Sequence, residues 1–156
     1  MGTAIARQAL KAGFEVDIAT AKPADEISML VEIITPGARA VEAAEIAESD
    51  MAIIAVPLHK VHTVNPELVA NKTVIDVMNY WAPVDGNIDI FDKDPRTTSE
   101  VVQDLFAASD VVKTLNHIAC RDMEGDARPK GSAGRRALAV GSDDRSAAEV
   151  AMGFLD

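Results

Sequence analysis

The sequence is poor in the residues on which several classes of protein depend. It has one cysteine in 156 residues, so no internal disulfide can form, and a reducing compartment such as the cytoplasm is expected. Aromatic residues make up 4% of the chain, which leaves few rings on which nucleic-acid bases could stack. No apolar run is long enough to cross a membrane. These deficits argue against a disulfide scaffold, a nucleic-acid-binding protein and an integral membrane protein.

Positive charge is also in short supply. Lysine and arginine number 15 against 25 aspartates and glutamates, which gives a net charge of −10 and disfavours nucleic acid and anionic membranes as partners. Hydrophobic residues, at 48%, are abundant enough for the core of one domain. A small molecule is therefore the expected partner. Any phosphate on it must be held locally, by backbone N–H groups and a few cations.

Strand-like and helix-like segments alternate along the chain. Two apolar runs, Met51–Val56 and Thr73–Asn79, are typical of strands that are buried on both faces. Four further strands are expected at residues 14–19, 38–41, 110–116 and 137–141. The alternation predicts an α/β fold with a parallel sheet and crossover helices.

Three of the predicted helices bury one face each. The inward positions are Ile27, Leu30, Val31 and Ile34 in the first, Val101, Val102, Leu105 and Phe106 in the second, and Val150 and Phe154 in the last. Ser142 or Asp143 is the expected cap of the last helix. Residues 80–96 and 121–136 are rich in turn-forming and charged residues, so both stretches are predicted to be irregular loops.

The first twenty residues are typical of the second half of a dinucleotide-binding βαβ unit. Gly2 opens a helix that Gly13 ends, and the strand at 14–19 follows. Gly2 suits the third glycine of a G-x-G-x-x-G fingerprint, whose first two glycines and preceding strand are absent. The prediction is a Rossmann-like, doubly wound parallel sheet over residues 1–156 that lacks its first strand. A natural protein that begins upstream of Met1 is also expected.

The end of the second Rossmann strand normally selects between NAD and NADP. An acidic residue there binds the ribose 2′-OH of NAD, whereas hydroxyls and cations accept the 2′-phosphate of NADP. Here the position is occupied by residues 19–22, which include Thr20 and Lys22, and Asp17 lies two residues too early. Thr20 and Lys22 either bind the 2′-phosphate or are a turn threonine and a solvated lysine. The local sequence leaves both interpretations open.

Three other strands end in residues that suit a ring cofactor. Ligands of open α/β sheets bind at the carboxyl edge of the strands, where polar groups here stand beside apolar ones. His117 either binds a ligand or caps its loop, and Pro57 is also a plausible strand terminator. His59 and His62 lack a third ligand, so no metal site is predicted. The candidate cofactor-binding residues are Gly2, Thr3, Thr20, Lys22, Val56, Pro57, His59, Asn79, Asn116, His117 and Ile118.

No side chain stands out as a catalytic acid, base or nucleophile. The sequence has no P-loop, no Ser-His-Asp spacing and no obvious carboxylate pair. This absence suits hydride transfer, in which cofactors carry out the chemistry and the protein positions them.

In their order, these segments resemble the family of NADPH:coenzyme F420 oxidoreductases. The matching stretches are 2–6 with 11–13, 52–57, 74–79, 111–118 and 141–144, so the resemblance spans nearly the whole chain. It implies that the chain transfers hydride between NADPH and the deazaflavin coenzyme F420. The alternatives are an NADP-dependent reductase of another small acceptor and a non-catalytic dinucleotide-binding module.

The resemblance also implies roles for individual residues. By position, it implies that Thr20 and Lys22 bind the 2′-phosphate and that Val56 and Pro57 lie beside the nicotinamide. It also implies that Asn116, His117 and Ile118 line the place where the nicotinamide and deazaflavin rings meet. Two features of the family are missing here: the pyrophosphate-binding glycines, and the C-terminal helices that complete the site and the dimer. The resemblance implies a homodimer.

Overall fold

The computed structural model describes residues 1–156 and divides into two compact units. One comprises residues 1–49 and 118–136, and the other comprises residues 50–117 and 137–156. Each unit contains its own sheet, and in each sheet strands pair in parallel. The predicted α/β class with parallel sheets is therefore confirmed. None of the helices combines the length and the apolar character needed to span a membrane.

The first unit is built on a small parallel sheet. Its elements are α1 (Gly2–Lys11), β1 (Asp17–Ile18), α2 (Ala24–Ile34), β2 (Arg39–Ala40), a 3₁₀ helix (Ala43–Glu48) and α6 (Cys120–Asp126). Asp17 of β1 is in register with Arg39 of β2. Both strands are much shorter than the stretches 14–19 and 38–41 predicted from the sequence.

Helix α1 begins and ends as the sequence predicts. Its C-terminus is a Schellman motif: Gly13 N–H donates to Leu10 O at 3.1 Å, and Phe14 N–H donates to Ala9 O at 3.0 Å. Gly13 has a φ of +91°, a conformation that glycine adopts without steric cost. The buried positions are Ala4, Ile5, Ala6 and Ala9.

The prediction of an irregular loop at 121–136 is wrong for its first part, because residues Cys120–Asp126 form helix α6. It packs against α1, and Met123 is buried. Glu124 accepts a hydrogen bond from Arg7 Nε at 2.7 Å and lies 3.5 Å from Lys11 Nζ. The hydrogen bond from Arg7 lowers the pKa of Glu124 below its ordinary value. Because these contacts join residues more than 100 positions apart, local sequence could not reveal the helix.

Helix α2 buries a narrower face than predicted. Ile27 and Val31 are buried, but Leu30 is 56% exposed and Ile34 is 36% exposed, so the prediction is wrong for both. The helix makes its contacts with the short strand β2, and a sheet of two short strands covers only one line of side chains. Glu42 caps the helix by accepting the Ala24 N–H at 2.7 Å.

The second unit is built on four strands in the order β3-β4-β5-β6. The strands are β3 (Met51–Ile54), β4 (Thr73–Asp76), β5 (Asp110–Thr114) and β6 (Val140–Gly141), and the α-helices are α3 (Ala82–Asp85), α4 (Asp89–Asp92), α5 (Thr98–Leu105) and α7 (Arg145–Leu155). Two 3₁₀ helices, Leu58–Thr63 and Pro66–Val69, lie between β3 and β4. The predicted loop at 80–96 thus contains two single-turn helices.

Strand β6 departs from the predicted parallel arrangement. It is two residues long and pairs antiparallel with β5, with Thr114 opposite Val140. A parallel neighbour needs a long crossover connection that packs on the sheet, whereas an antiparallel neighbour does not. An antiparallel strand at the edge of a parallel sheet is a common solution.

Helix α5 largely follows the prediction. Thr97 and Glu100 form a capping box, in which Glu100 N–H donates to Thr97 Oγ1 and Thr97 N–H donates to Glu100 Oε2. Val101, Val102 and Phe106 are buried as predicted, while Leu105 is half-buried.

Helix α7 differs from the prediction at its cap and on one face. Asp144 is the N-cap and accepts the Ala147 N–H at 2.7 Å, so neither Ser142 nor Asp143 caps the helix. Ser142 instead donates to Val111 O at 2.8 Å, which ties the loop to β5. The buried positions of α7 are Ala147 and Ala151, whereas Val150 is 51% exposed.

Candidate functional site

The N-terminus of α1 presents backbone donors and no competing side chain. Gly2 is the first helical residue, Thr3 is exposed, and no side chain caps the helix. The first amide N–H groups of a helix have no partner within it and favour negative charge, which suits a phosphate. The predicted role of Gly2 and Thr3 in cofactor binding stays a prediction.

Thr20 and Lys22 form one turn after β1. Thr20 Oγ1 accepts the Lys22 N–H at 3.0 Å, and both side chains are exposed. The ammonium of Lys22 lies 3.4 Å from a carboxylate oxygen of Glu26. An exposed pair of this kind is worth about 0–1 kcal/mol, so it leaves the lysine able to bind a phosphate. The structure thus places a hydroxyl and a cation together at the tip of β1.

Asp17 forms an ion pair with Arg39 of β2. Both its carboxylate oxygens accept from the Arg39 guanidinium, at 2.7 and 2.8 Å. This hydrogen bonding lowers the pKa of Asp17 despite the opposing effect of burial. A bidentate pair of this kind is strong and geometrically specific. Within this unit, Asp17 is therefore paired with Arg39 of β2, and residues 19–22 after β1 include no aspartate or glutamate.

In the second unit, a hydrogen bond from a side chain to the backbone joins the carboxyl ends of β4 and β5. Asn79 Nδ2 donates to Asn116 O at 2.5 Å, so these two predicted residues are in contact. The parallel register of β4 and β5, with Asp76 opposite Lys113, brings the two strand ends to one edge. The structure thus brings Asn79 and Asn116, which follow different strands, together at this edge, and their role in cofactor binding stays a prediction.

A buried ion pair lies under this edge. Lys113 Nζ is 3.0 Å from Asp76 Oδ2 and also donates to Met78 O, while Asp76 Oδ1 accepts the Met78 N–H at 2.8 Å. The Asp76 side chain is 1% exposed. The pair therefore fixes the backbone at Met78, immediately before Asn79.

His117 binds its own chain. Its Nε2 accepts the Ala139 N–H at 3.1 Å, which requires that the proton of the neutral ring be on Nδ1, and Nδ1 faces Asn116 Oδ1 at 3.4 Å. The sequence left open whether His117 binds a ligand or caps its loop, and the structure shows the contact with the loop. The exposed ring still borders the edge formed by Asn79 and Asn116.

His59 is held by a residue that sequence analysis did not single out. Asp85 Oδ1 lies 2.8 Å from His59 Nδ1 and accepts the His59 backbone N–H at 3.2 Å, and Asp85 Oδ2 accepts the Trp81 N–H at 2.7 Å. Burial favours a raised pKa for Asp85, but these hydrogen bonds outweigh it and keep the pKa below its ordinary value. Asp85 is thus an ionised carboxylate that is 3% exposed.

Two aromatic side chains follow β4 and are open to solvent. Tyr80 OH donates to Gly86 O at 2.8 Å, which anchors the ring at its far end. Trp81 is 63% exposed, an unusual position for a large ring, and its backbone contacts Asp85. Such rings offer flat apolar surface to a planar ligand.

The remaining candidates are apolar or backbone elements. Val56 is half-buried, Pro57 is the exposed N-cap of the 3₁₀ helix that carries His59, and Ile118 is buried in the first unit. The structure contains no cluster of three or more His, Cys, Asp or Glu side chains that could hold a metal ion. Gly2, Thr3, Thr20, Lys22 and Ile118 belong to the first unit, and the other candidates to the second.

Sequence reasoning missed Asp85, Asp76 and Lys113 as members of this edge. A signal existed for the ion pair: one charged residue interrupts each of two apolar strands, and the register pairs them. No comparable signal existed for Asp85, which was one of several aspartates in a predicted loop.

Comparison with known proteins identifies relatives of this chain. A sequence model of a family described as NADP oxidoreductase coenzyme F420-dependent matches residues 1–80, just over half of the chain. A search of curated proteins finds no match.

Solved structures share the fold. A protein from Arthrobacter sp. FB24, titled as a proposed F420-dependent NADP-reductase, is similar with a TM-score of 0.75 and 22% identity, over 98% of this chain and 74% of its own. A hypothetical protein from Sinorhizobium meliloti is similar with a TM-score of 0.78 and 22% identity, over 99% of this chain and 76% of its own. At this identity the likeness supports the fold alone.

Proposed function

The chain belongs to the family of coenzyme F420-dependent NADP oxidoreductases, and we propose that it transfers hydride between NADPH and coenzyme F420. The family match over residues 1–80 carries this proposal. The solved protein from Arthrobacter, whose title names an F420-dependent NADP-reductase, agrees with it. The alternatives, a reductase of another small acceptor and a module that binds NADP without turnover, are outcomes of the experiment below.

Within the first unit, we assign phosphate binding to two places. The uncapped N-terminus of α1 offers backbone N–H groups to the pyrophosphate, and the turn of Thr20 and Lys22 offers a hydroxyl and an ammonium to the 2′-phosphate. Local donors of this kind are needed because the chain as a whole carries a net charge of −10.

Within the second unit, we assign ring binding to the carboxyl edge of the sheet. Asn79 and Asn116 supply polar groups there, and His117 and Trp81 supply exposed ring surface. When bound, NADPH supplies the hydride. The residues of the chain orient the ring and limit access of water, which accounts for rate acceleration through alignment.

The experiment that tests this proposal measures turnover with both substrates in one assay. Reduction of coenzyme F420 is followed by the loss of its visible absorbance, with NADPH or NADH as donor. We expect turnover with NADPH and much slower turnover with NADH. NADPH oxidation by imines or 2-oxo acids, with none by F420, favours the second enzyme class, and tight NADP binding without turnover favours the binding module.

A variant tests the assigned phosphate contact. Lys22→Gln should raise the Kd for NADP about tenfold, the loss of one charge-assisted hydrogen bond, and should leave the Kd for NAD unchanged. Lys93→Gln is the matched control, because Lys93 also pairs with a carboxylate four residues away and is exposed. Equal effects of the two variants on NADP binding would contradict the assignment.

A further inference from the structure

His59 and Asp85 form a histidine–carboxylate pair that hydride transfer alone does not use. His59 lies on the 3₁₀ helix that follows β3, and Asp85 is the last residue of α3. The carboxylate receives three N–H groups: the His59 ring at 2.8 Å, the His59 backbone at 3.2 Å and the Trp81 backbone at 2.7 Å. A buried carboxylate with this many donors holds its partner in one orientation.

The hydrogen-bond inventory fixes the proton on the ring. An ionised carboxylate can only accept, so His59 Nδ1 must carry a hydrogen that it donates to Asp85. Nε2 of His59 makes no hydrogen bond in the structure, and about a third of the side chain is exposed. The free nitrogen is therefore the one that exchanges protons. This is the geometry by which a carboxylate orients a histidine for acid–base chemistry.

The other two histidines lack this arrangement. His117 Nε2 is occupied by the Ala139 N–H, and its Nδ1 faces an amide instead of a carboxylate. His62 is exposed on the same 3₁₀ helix as His59. The other ionisable residues on the helix of His59 are Lys60 and His62, and both are exposed. Asp85 faces His59 from α3.

We propose that His59 Nε2 is the proton donor and acceptor of the reaction, and that Asp85 is the positioning residue that presents it. This inference rests on the proposed function. Reduction of a deazaflavin adds a hydride to a ring carbon and a proton to a ring nitrogen. NADPH loses the hydride with its two electrons. The His59 imidazolium, which carries a proton on each ring nitrogen, gives the Nε2 proton to the ring nitrogen of the deazaflavin and becomes neutral, and a proton taken up from the solvent restores the imidazolium. In the reverse direction, neutral His59 accepts that proton.

The first experiment determines which nitrogen of the His59 ring carries the proton, and it does not require catalytic turnover. Nitrogen NMR of the intact chain with isotope-labelled histidine distinguishes a protonated from an unprotonated ring nitrogen, and His62→Asn and His117→Asn assign the signals. We expect neutral His59 to carry its proton on Nδ1. In Asp85→Asn the proton should redistribute toward Nε2. A wild-type ring protonated on Nε2 alone would overturn the proposal.

The second experiment measures catalysis with NADPH and coenzyme F420. His59→Asn should lower kcat about 100-fold, the lower range for general acid catalysis, with little change in the KM for NADPH. Asp85→Asn should lower kcat less and should reduce the solvent deuterium isotope effect, whereas His62→Asn should match the wild type. Far-UV circular dichroism checks that each variant is folded.

The outcomes separate this inference from the proposed function. A chain with the expected tautomer but no turnover of F420 contradicts the proposed function, while the tautomer supports the oriented pair. A chain that reduces F420 equally well with His59→Asn supports the proposed function and overturns the proton-transfer role.

Discussion

The buried ion pair of Asp76 and Lys113 should make the second unit sensitive to loss of one charge. Lys113→Met removes the cation 3.0 Å from a carboxylate that is 1% exposed, and also a donor to Met78 O. With an effective dielectric constant of about 20, the attraction at 3.0 Å is about 5.5 kcal/mol before desolvation. Breaking buried pairs costs about 3–5 kcal/mol in practice, a large part of a stability of about 5–15 kcal/mol. Urea unfolding followed by far-UV circular dichroism measures the loss.

Two further variants make this prediction specific. Lys93→Met breaks an exposed pair with Asp89 and should cost less than about 0.5 kcal/mol. Asp76→Asn combined with Lys113→Met removes both charges and keeps an acceptor for the Met78 N–H, so it should recover stability to within about 2 kcal/mol of the wild type. If Lys113→Met costs no more than Lys93→Met, the Asp76 carboxylate is hydrated and the reasoning is wrong.

Three other predictions concern helix α7, acid stability and assembly. Asp144→Ala should cost about 1 kcal/mol in urea unfolding because it removes the cap, while Asp143→Ala should cost little; equal costs would contradict the assigned cap. Hydrogen bonds from Arg96 lower the pKa of Asp94 to about 2, so its stabilising effect is complete above the ordinary carboxyl pKa and is lost as the pH falls through about 2. The difference in Tm between wild type and Asp94→Asn should therefore shrink from about pH 4 to about pH 2, and a constant difference would refute this. The homodimer stays a prediction that light scattering tests, with a monomer at all concentrations as the contrary result.

Much of the fold could be predicted because some segments specify their structure locally. The apolar runs that contain β3 and β4 have few alternatives to a strand, and both form in parallel register. Burial on both faces holds for β4 but is wrong for β3, where Met51 and Ile53 are only half-buried. The C-terminus of α1 was equally predictable, since Gly13 adopts the positive φ that ends a helix.

Other parts depend on contacts that local sequence does not contain. Helix α6 is held by Arg7 and Met123, and its charge and its glycine resemble those of a loop. The exposure of Leu30 depends on how little of α2 the short sheet covers. The predicted N-cap of α7 was wrong by one or two residues, because Ser142, Asp143 and Asp144 are all residue types that cap helices well. The hydrogen bond from Ser142 to β5 decides among them.

The sequence predicted which strand ends carry the candidate site, but it did not predict which side chains there pair with each other. Asn79 and Asn116 meet because parallel strands bring their carboxyl ends to one edge. Asp85 could not be chosen from the sequence, because its partnership with His59 depends on the fold of residues 80–96. The aspartates in that loop look alike until the structure shows which of them is buried.

Direct transfer of hydrogen from the nicotinamide tests the central claim most sharply. NADPH carrying deuterium at the transferable C4 position is incubated with coenzyme F420 and the intact chain, and the reduced product is examined by mass spectrometry. We expect the product formed in ordinary water to contain deuterium delivered from NADPH. A reduced product that contains only solvent hydrogen, or an unchanged F420, would contradict it.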